Sequence, residues 1–265
     1  SEIDSSEDVV AIVKDNLEFT VYIPSKGRST TCKTPALLQK NGIKFCMVVE
    51  PQDLDDYIQQ FREDRVLVMD ENDRGIAYAR NWIKQYSISQ GEQYHWQIDD
   101  DIRRFLERVN DKNIKVDALV VLAKAEARIG PFTNIGQVGL KHSMFAWSAK
   151  NEIDYNKQVC SCALINNEVD AHYREGLIED TDYSMQVLTK GYCTITLNRA
   201  IYDPPPAASN EGGNSSSGHY DGYLKLLHGL QEAWPNTFQI VEKKGQPRMK
   251  PKHTCWTQFK QVPIR

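Results

Sequence analysis

Three consecutive carboxylates, Asp99, Asp100 and Asp101, follow the apolar run YHWQI at residues 94–98. An apolar strand that ends in clustered aspartates can present a hard, oxygen-ligated cation at a sheet edge. Side chains alternate along an extended chain, so Asp99 and Asp101 fall on one face. A Mg2+ or Mn2+ ion would take one or two of these carboxylates and add substrate phosphate oxygens. The competing reading is an acidic turn after a strand, because aspartate is common in turns.

Cations near strand and helix ends are the second ingredient. The run EFTVYI at residues 18–23 leads into PSKGRST. There Pro24, Ser25, Lys26, Gly27 and Arg28 suit a loop lying against a nucleotide, since open α/β sheets bind ligands at the carboxyl edge of their strands. Arg74, Arg80 and Asn81 stand near the start of RGIAYARNWIKQYS, where free amides and the helix dipole favour phosphate. Both stretches also read as solvated basic surface. His219, late in the chain, would complete an Asp/Asp/His set with Asp99 and Asp101 if it folded back onto the ion. The stretch EDTDYSMQ from residue 179 places three acids in the first turn of a helix, which is ordinary helix-start chemistry.

Such groups need a scaffold, and the periodicity supplies one. Strands are expected at residues 18–23, 44–50, 65–69 and 94–98, with helices at 36–40, 53–61 and from Arg74 onward, where Ile76, Ala79, Ile83 and Tyr86 recur at helical spacing. Strand alternating with helix predicts an α/β protein with a mainly parallel sheet. Beyond the aspartates, a helix at 117–128 stops at Gly130-Pro131. Strands are expected at 137–146 and 159–165, where KHSMFAW (141–147) and QVCSCALIN (158–166) could form an antiparallel pair with Cys160, Cys162 and Leu164 on one face and Trp147 at the end of the first. Near a cleft Trp147 could stack on a sugar or base, although tryptophan is more often buried. A helix from 179 turns Tyr183, Val187 and Leu188 inward, and a strand covers 192–197. The Gly/Ser/Asn-rich stretch at 209–223 reads as a functional loop, and a helix follows at 220–234.

The chain has 265 residues, a net charge of −4 and 40% hydrophobic residues, which fits one large α/β domain. No apolar run approaches the ~20 residues that span a bilayer, and SEIDSSEDVV lacks the pattern of a signal peptide. The expectation is a soluble intracellular protein whose six scattered cysteines are reduced. Charge is uneven. Residues 241–265 carry seven cations against Glu242, a net of +6, which leaves −10 elsewhere. That basic end, with Trp256 and Phe259 interleaved, suits phosphate contact plus base stacking. A solvated tail is the alternative.

Taken in order, PSKGR, RGIAYARN, WQIDDD and EDTDYSMQ resemble glycosyltransferases of the GT-A fold, in particular the inverting type with a DxD strand end and a later Glu-Asp pair. VYIPSKGR, MVVEP, RGIAYARN and WQIDDDI together are similar to the DNA-modifying glycosyltransferases related to the kinetoplastid base J glucosyltransferase, a group with bacteriophage members. The resemblance covers residues 19–190. It implies a GT-A-like (Rossmann-like) central sheet flanked by helices, with a small antiparallel acceptor-side sheet. Residues 17–110 would then form the nucleotide-sugar-binding half of a single domain, and 111–265 the acceptor-side half.

By motif, Pro24, Ser25, Lys26, Gly27, Arg28 and Glu50 would flank the nucleotide, and Arg74, Arg80 and Asn81 would line the donor diphosphate or sugar. Asp99 would contact the ribose and Asp101 the metal, while Asp180 would be the base. Asp100 keeps the frame of the first motif open, and Asp182 does the same for the base. The resemblance implies a UDP-sugar donor, Mn2+ or Mg2+, and the hydroxymethyl group of 5-hydroxymethylcytosine or 5-hydroxymethyluracil in DNA as acceptor, with no membrane involved. The basic end with Trp256, and Trp234, are the candidates for holding DNA. A phage-infected bacterial cytoplasm is the implied setting. A saccharide, lipid or protein acceptor, a nucleotidyltransferase, and a silent nucleic-acid-binding domain are the competing readings.

Overall fold

The computed structural model describes residues 16–206 and 220–265. Four strands open the chain: β1 (Val21–Pro24), β2 (Phe45–Val49), β3 (Val66–Val68) and β4 (Tyr94–Ile98). They lie in the order β3-β2-β1-β4 and are all parallel. The connections are helical, through α1 (Thr34–Lys40), α2 (Leu54–Gln60) and α3 (Ile76–Ser89). Period-two alternation divides each strand between two buried layers. Val21, Ile23, Phe45 and Met47 join a core with Leu38 of α1 and Tyr57 of α2, whereas Tyr22 and Val48 meet Ala79 and Ile83 of α3. Burial on both faces explains why these segments read as nearly unbroken apolar runs.

The sheet then changes character. Six further strands are β5 (Arg104–Val109), β6 (Lys112–Val116), β7 (Ile135–His142), β8 (Ile153–Tyr155), β9 (Cys162–Asn166) and β10 (Cys193–Asp203). Beyond β4 the order continues β9-β7-β10-β5-β6, with β8 also on β10. β9 is antiparallel to both β4 and β7, and β10 is parallel to β7. An antiparallel pair is present, but it joins Gln137, Val138 and Gly139 to Ile165, Leu164 and Ala163 rather than KHSMFAW to QVCSCALIN, because the chain turns into a short helix after His142 and β9 begins only at Cys162. Helix α4 (Ala118–Ala127) packs on this half. The β5–β6 hairpin, unforeseen in the sequence, turns at Asn110 and Asp111, both at positive φ, as a two-residue hairpin turn requires.

The expected strand at 137–146 stops at His142. The backbone N–H of Met144 donates to His142 Nδ1 at 3.0 Å, and that cap starts the short helix α5 (Ser143–Ala146). Helix α6 (Glu179–Thr189) buries Tyr183, Val187 and Leu188 as its periodicity requires. Helix α7 (Tyr220–Ala233) leads into a separate antiparallel hairpin, β11 (Phe238–Lys243) with β12 (Gln246–Pro251), and α8 (Thr254–Thr257) follows. Among the described residues no helix is long and apolar enough to cross a membrane. The six cysteines are free thiols.

Helix α7 sits directly on the loop before α6. A Cβ on Gly229 would lie 2.0 Å from the carbonyl oxygen of Gly176, and backbone there cannot yield as a flexible side chain would. Gly229→Ala is expected to cost about 1–3 kcal/mol through overpacking and to lower the midpoint of thermal unfolding. An unchanged midpoint would mean that α7 is free to shift away from this loop.

Candidate active site

The three aspartates emerge from the carboxyl end of β4 into different surroundings. Asp100 is buried. Ser25 Oγ donates to its Oδ2 at 2.5 Å and Arg28 Nη1 to its Oδ1 at 2.9 Å. Its carbonyl accepts the N–H groups of Lys33 and Thr34, and Thr34 Oγ1 donates to the Asp99 carbonyl. Asp100 thereby ties the loop after β1 and the start of α1 to the end of β4. Asp99 and Asp101 are partly exposed. Arg80 Nη2 reaches Asp99 Oδ1 at 3.2 Å, and Arg28 Nη1 stands 3.9 Å from Asp101 Oδ2. Burial and the charges of Asp99 and Asp100 push the Asp101 carboxyl up to about 6. A divalent cation fits such a place, because it relieves like-charge repulsion among oxygen donors. Among the described residues no three metal-ligating side chains converge. A Mg2+-like ion fits that as well, since it binds through one or two carboxylates and takes phosphate and water for the rest.

The second acidic group stands at the start of α6. Glu179 Oε1 accepts from Arg80 Nε at 3.4 Å, so one buried guanidinium spans Asp99 and Glu179. Gln97 of β4 holds the same guanidinium from below, its Oε1 lying 3.3 Å from Arg80 Nη1. Asp180 lines a small pocket with Arg80, Gln97, Cys160, Ser161 and Tyr173. Its carboxyl is pushed up to about 7 by burial and by Glu179, against the opposing pull of Arg80 and of the Thr181 N–H. A carboxyl poised there is protonated and deprotonated within the neutral range. Asp182, two residues on, is fully buried and fully engaged. Arg174 donates to it twice, Gln186 Nε2 at 2.8 Å and Trp234 Nε1 at 2.8 Å. Asp182 is an anchor between α6 and α7, and Asp180 is the carboxyl that faces the pocket.

The loop after β1 carries the other expected residues. Pro24 ends β1, and the carbonyl of Val48 accepts the N–H of Ser25. Gly27 has φ +64° and donates its N–H to Asp53 Oδ2 at 3.0 Å. Lys26 lies 3.4 Å from the buried Glu50 and donates to Asp73 at 2.6 Å. Tyr57 was not foreseen: its hydroxyl contacts Ser25 Oγ and accepts the N–H of Arg28 at 3.1 Å. It comes from α2, and no local signal ties it to residues some thirty positions earlier. Thr34 and Gln97 were missed for the same reason.

Several expectations change with the contacts in view. Asn81 does not line an open diphosphate site. Its amide clasps the backbone of Tyr173 in both directions, at 2.6 and 2.7 Å. Arg80 is buried against carboxylates rather than offered to solvent. Arg74 lies on the surface over the ring of Tyr78, paired with Glu71 at 2.6 Å and Glu175 at 3.6 Å. Trp234 is spent on Asp182, and Trp256 packs edge-on against Phe238 in a small apolar cluster. Both rings are partly buried. His219 lies outside the described residues, as does the loop at 207–219. The basic end forms the β11–β12 hairpin, whose pairing puts Lys243, Arg248 and Lys250 on one exposed face.

A parallel block that delivers acidic residues at its carboxyl edge, with a basic loop after β1 and an acidic helix start opposite, has the arrangement of the GT-A glycosyltransferase fold. The chain belongs to the TET-associated glycosyltransferase family, whose model matches residues 19–213. The structure is similar to that of GalNAc-T7 with UDP, GalNAc and Mn2+, at a TM-score of 0.50 and 14% identity, over 82% of this chain and 48% of that one. It is also similar to glucosyl-3-phosphoglycerate synthase from Mycobacterium tuberculosis in complex with Mg2+ and UDP, at a TM-score of 0.49 and 9% identity, over 88% and 86% of the two chains. A comparison with curated protein sequences returns no match.

Proposed function

We propose that this glycosyltransferase moves a sugar from a UDP-sugar to the hydroxymethyl group of a modified pyrimidine in DNA, by a single inverting displacement. The observation that carries this reading is the pairing, through Arg80, of the Asp99–Asp101 strand end with the Glu179-Asp180 helix start. Family membership favours DNA as acceptor, and the UDP, GalNAc and Mn2+ bound by GalNAc-T7 favour the donor and metal. The resemblance to base J-type and phage enzymes points the same way.

Residues 17–110 hold the donor. The loop Pro24–Arg28 and Glu50 border the nucleotide, with Asp99 toward the ribose. Asp101, with Asp99, would hold Mn2+ or Mg2+, which when bound neutralises the charge that grows on the departing diphosphate. Arg80 fixes Asp99 against Glu179 and so sets the distance between donor and base. Asp180 accepts the proton of the acceptor hydroxyl as its oxygen bonds to the anomeric carbon and the bond from that carbon to the diphosphate breaks. Residues 111–265 face the acceptor, whose hydroxymethyl group is reached in the major groove or on a flipped base. The exposed cations of the β11–β12 hairpin would neutralise DNA phosphates.

Intact-mass analysis of a short duplex carrying 5-hydroxymethylcytosine tests the reading, with Mn2+ and a panel of UDP-sugars. A gain of one sugar, lost in Asp101→Ala and Asp180→Asn, is the expected result. Metal-dependent hydrolysis of the donor with no gain on DNA would retain the glycosyltransferase and overturn the acceptor.

A further inference from the structure

Helix α5 and the residue after it expose large apolar side chains where the end of a strand was expected. Met144, Phe145 and Trp147 are 57%, 51% and 75% exposed, three within four residues. Isolated surface hydrophobics are ordinary, whereas a cluster of this kind marks an interaction site. The cluster is rigidly held. Ala146 is buried against Leu106 and Ile201, the indole N–H of Trp147 donates to the Met144 carbonyl at 3.0 Å, and the His142 ring stands between Phe145 and Tyr202 at 5.6 and 5.3 Å. The one polar atom of Trp147 is thus turned inward, and its ring stays in solvent.

Sheet register locates this cluster relative to the acidic site. Ile98 of β4 pairs with Cys162 of β9, and Gly139 of β7 pairs with Ala163, so Leu140 stands level with Ile98. Asp99 and Lys141 therefore leave the same edge of the sheet, with only β9 between them. Two inter-strand spacings put the exits roughly 10 Å apart. The ground beneath α5 is cationic. Arg103 and Arg104 share the single carboxylate of Asp203, at 3.2 and 2.7 Å, and Ser143 donates to that carboxylate at 2.7 Å. Lys141 pairs in register with Ile201, two residues before Asp203 on β10.

We propose that the α5 cluster is the acceptor-strand platform: a nucleobase of the DNA stacks on the Trp147 ring, and Arg103, Arg104 and Lys141 take the adjoining phosphates. The inference rests on the DNA-acceptor reading above and adds the surface that receives it. A planar aromatic ring in solvent with cations around it matches a nucleic-acid strand, whose bases present π-faces and whose backbone is anionic. It matches a neutral glycan less well, because Asp203 balances only one of the two guanidinium charges and a glycan would bring no second anion. The platform moves base stacking from Trp234 and Trp256, which are partly buried, to Trp147, which is the more exposed ring.

The test uses the full chain as wild type, Trp147→Ala and Trp147→Phe, with labelled DNA carrying 5-hydroxymethylcytosine. Affinity is read by anisotropy, and KM and kcat by sugar transfer. Loss of a base stack weakens binding about tenfold or more. Trp147→Ala is therefore expected to raise Kd and KM for DNA by about that factor, with a much smaller change in kcat, and Trp147→Phe is expected to restore most of it. Addition of DNA should quench tryptophan emission in the wild type and quench it less in Trp147→Phe. Transfer to DNA with Kd and KM unchanged in Trp147→Ala would overturn the platform and leave the DNA reading standing. Wild-type protein that binds no DNA and glycosylates only a saccharide or protein would overturn both.

Discussion

Asp180→Asn is expected to lower kcat by about 10²–10⁴-fold, the usual contribution of a positioned base, with little change in donor KM. The substitution is conservative in shape. The N–H of Thr181, which donates to Asp180 Oδ1 at 2.7 Å, can donate equally to the amide oxygen. Only the capacity to take a proton is lost. The sign of the pH dependence follows from the environment. Burial and Glu179 push the Asp180 carboxyl from its ordinary value of 3.8 up to about 7, and the base form is the deprotonated one. Wild-type kcat should therefore rise with pH to about 7 and then level off, and the residual rate of Asp180→Asn should lack that limb.

Stability should move in the opposite direction. Below about pH 4 the carboxyl is protonated in both folded and unfolded chains. Between there and about pH 7 the unfolded chain ionises while the folded one resists, so the wild type loses stability as pH rises. Asparagine carries no such charge. At pH 8 Asp180→Asn should be the more stable protein, by on the order of 1–3 kcal/mol once the partial exposure of the site is allowed for. Near pH 4 the two should converge. A variant that keeps its kcat, or a wild-type profile flat from pH 5 to 9, would remove Asp180 from the role of base.

Neighbouring aspartates should separate just as sharply. Asp100→Ala removes the carboxylate that holds Arg28 and Ser25 at 2.9 and 2.5 Å. Breaking a buried ion pair from one side costs about 3–5 kcal/mol, and the lower end is expected here because Asp101 remains 3.9 Å from Arg28. The loss should appear as a lower thermal midpoint and a loosened 24–28 loop. Asp101→Ala should leave stability unchanged or raise it, since it removes one of three adjacent like charges. Transfer should nevertheless fall by at least about 100-fold, since several kcal/mol of charge stabilisation at the diphosphate would be lost and each ~1.4 kcal/mol is tenfold in rate. Calorimetry and initial rates on the two variants decide the matter. If Asp100→Ala proves stable and inactive while Asp101→Ala remains active, the metal assignment passes to Asp100.

Features encoded in neighbouring residues were legible in the sequence. The parallel block β1 to β4 announces itself as apolar runs alternating with helical periodicity, because burial on both sheet faces leaves few positions for polar residues. The aspartates at the end of β4, the acids opening α6 and the cations of the terminal hairpin are all local in this sense. Strand ends gave way where a single contact decided them, as at His142, whose ring nitrogen caps α5. What only the folded chain settles is the surroundings of each charged side chain. Asp100 and Asp101 are identical and adjacent, yet one is walled in by the loop after β1 and the other is left half open. Asp182 differs from Asp180 because Trp234, 52 positions away, meets one and not the other. Arg80 joins carboxylates 19 and 99 positions distant in the chain. Residue type and spacing supplied the kinds of chemistry available to this protein, whereas burial and long-range pairing, which depend on which strands and helices become neighbours, decided which carboxylates keep their charge free for it.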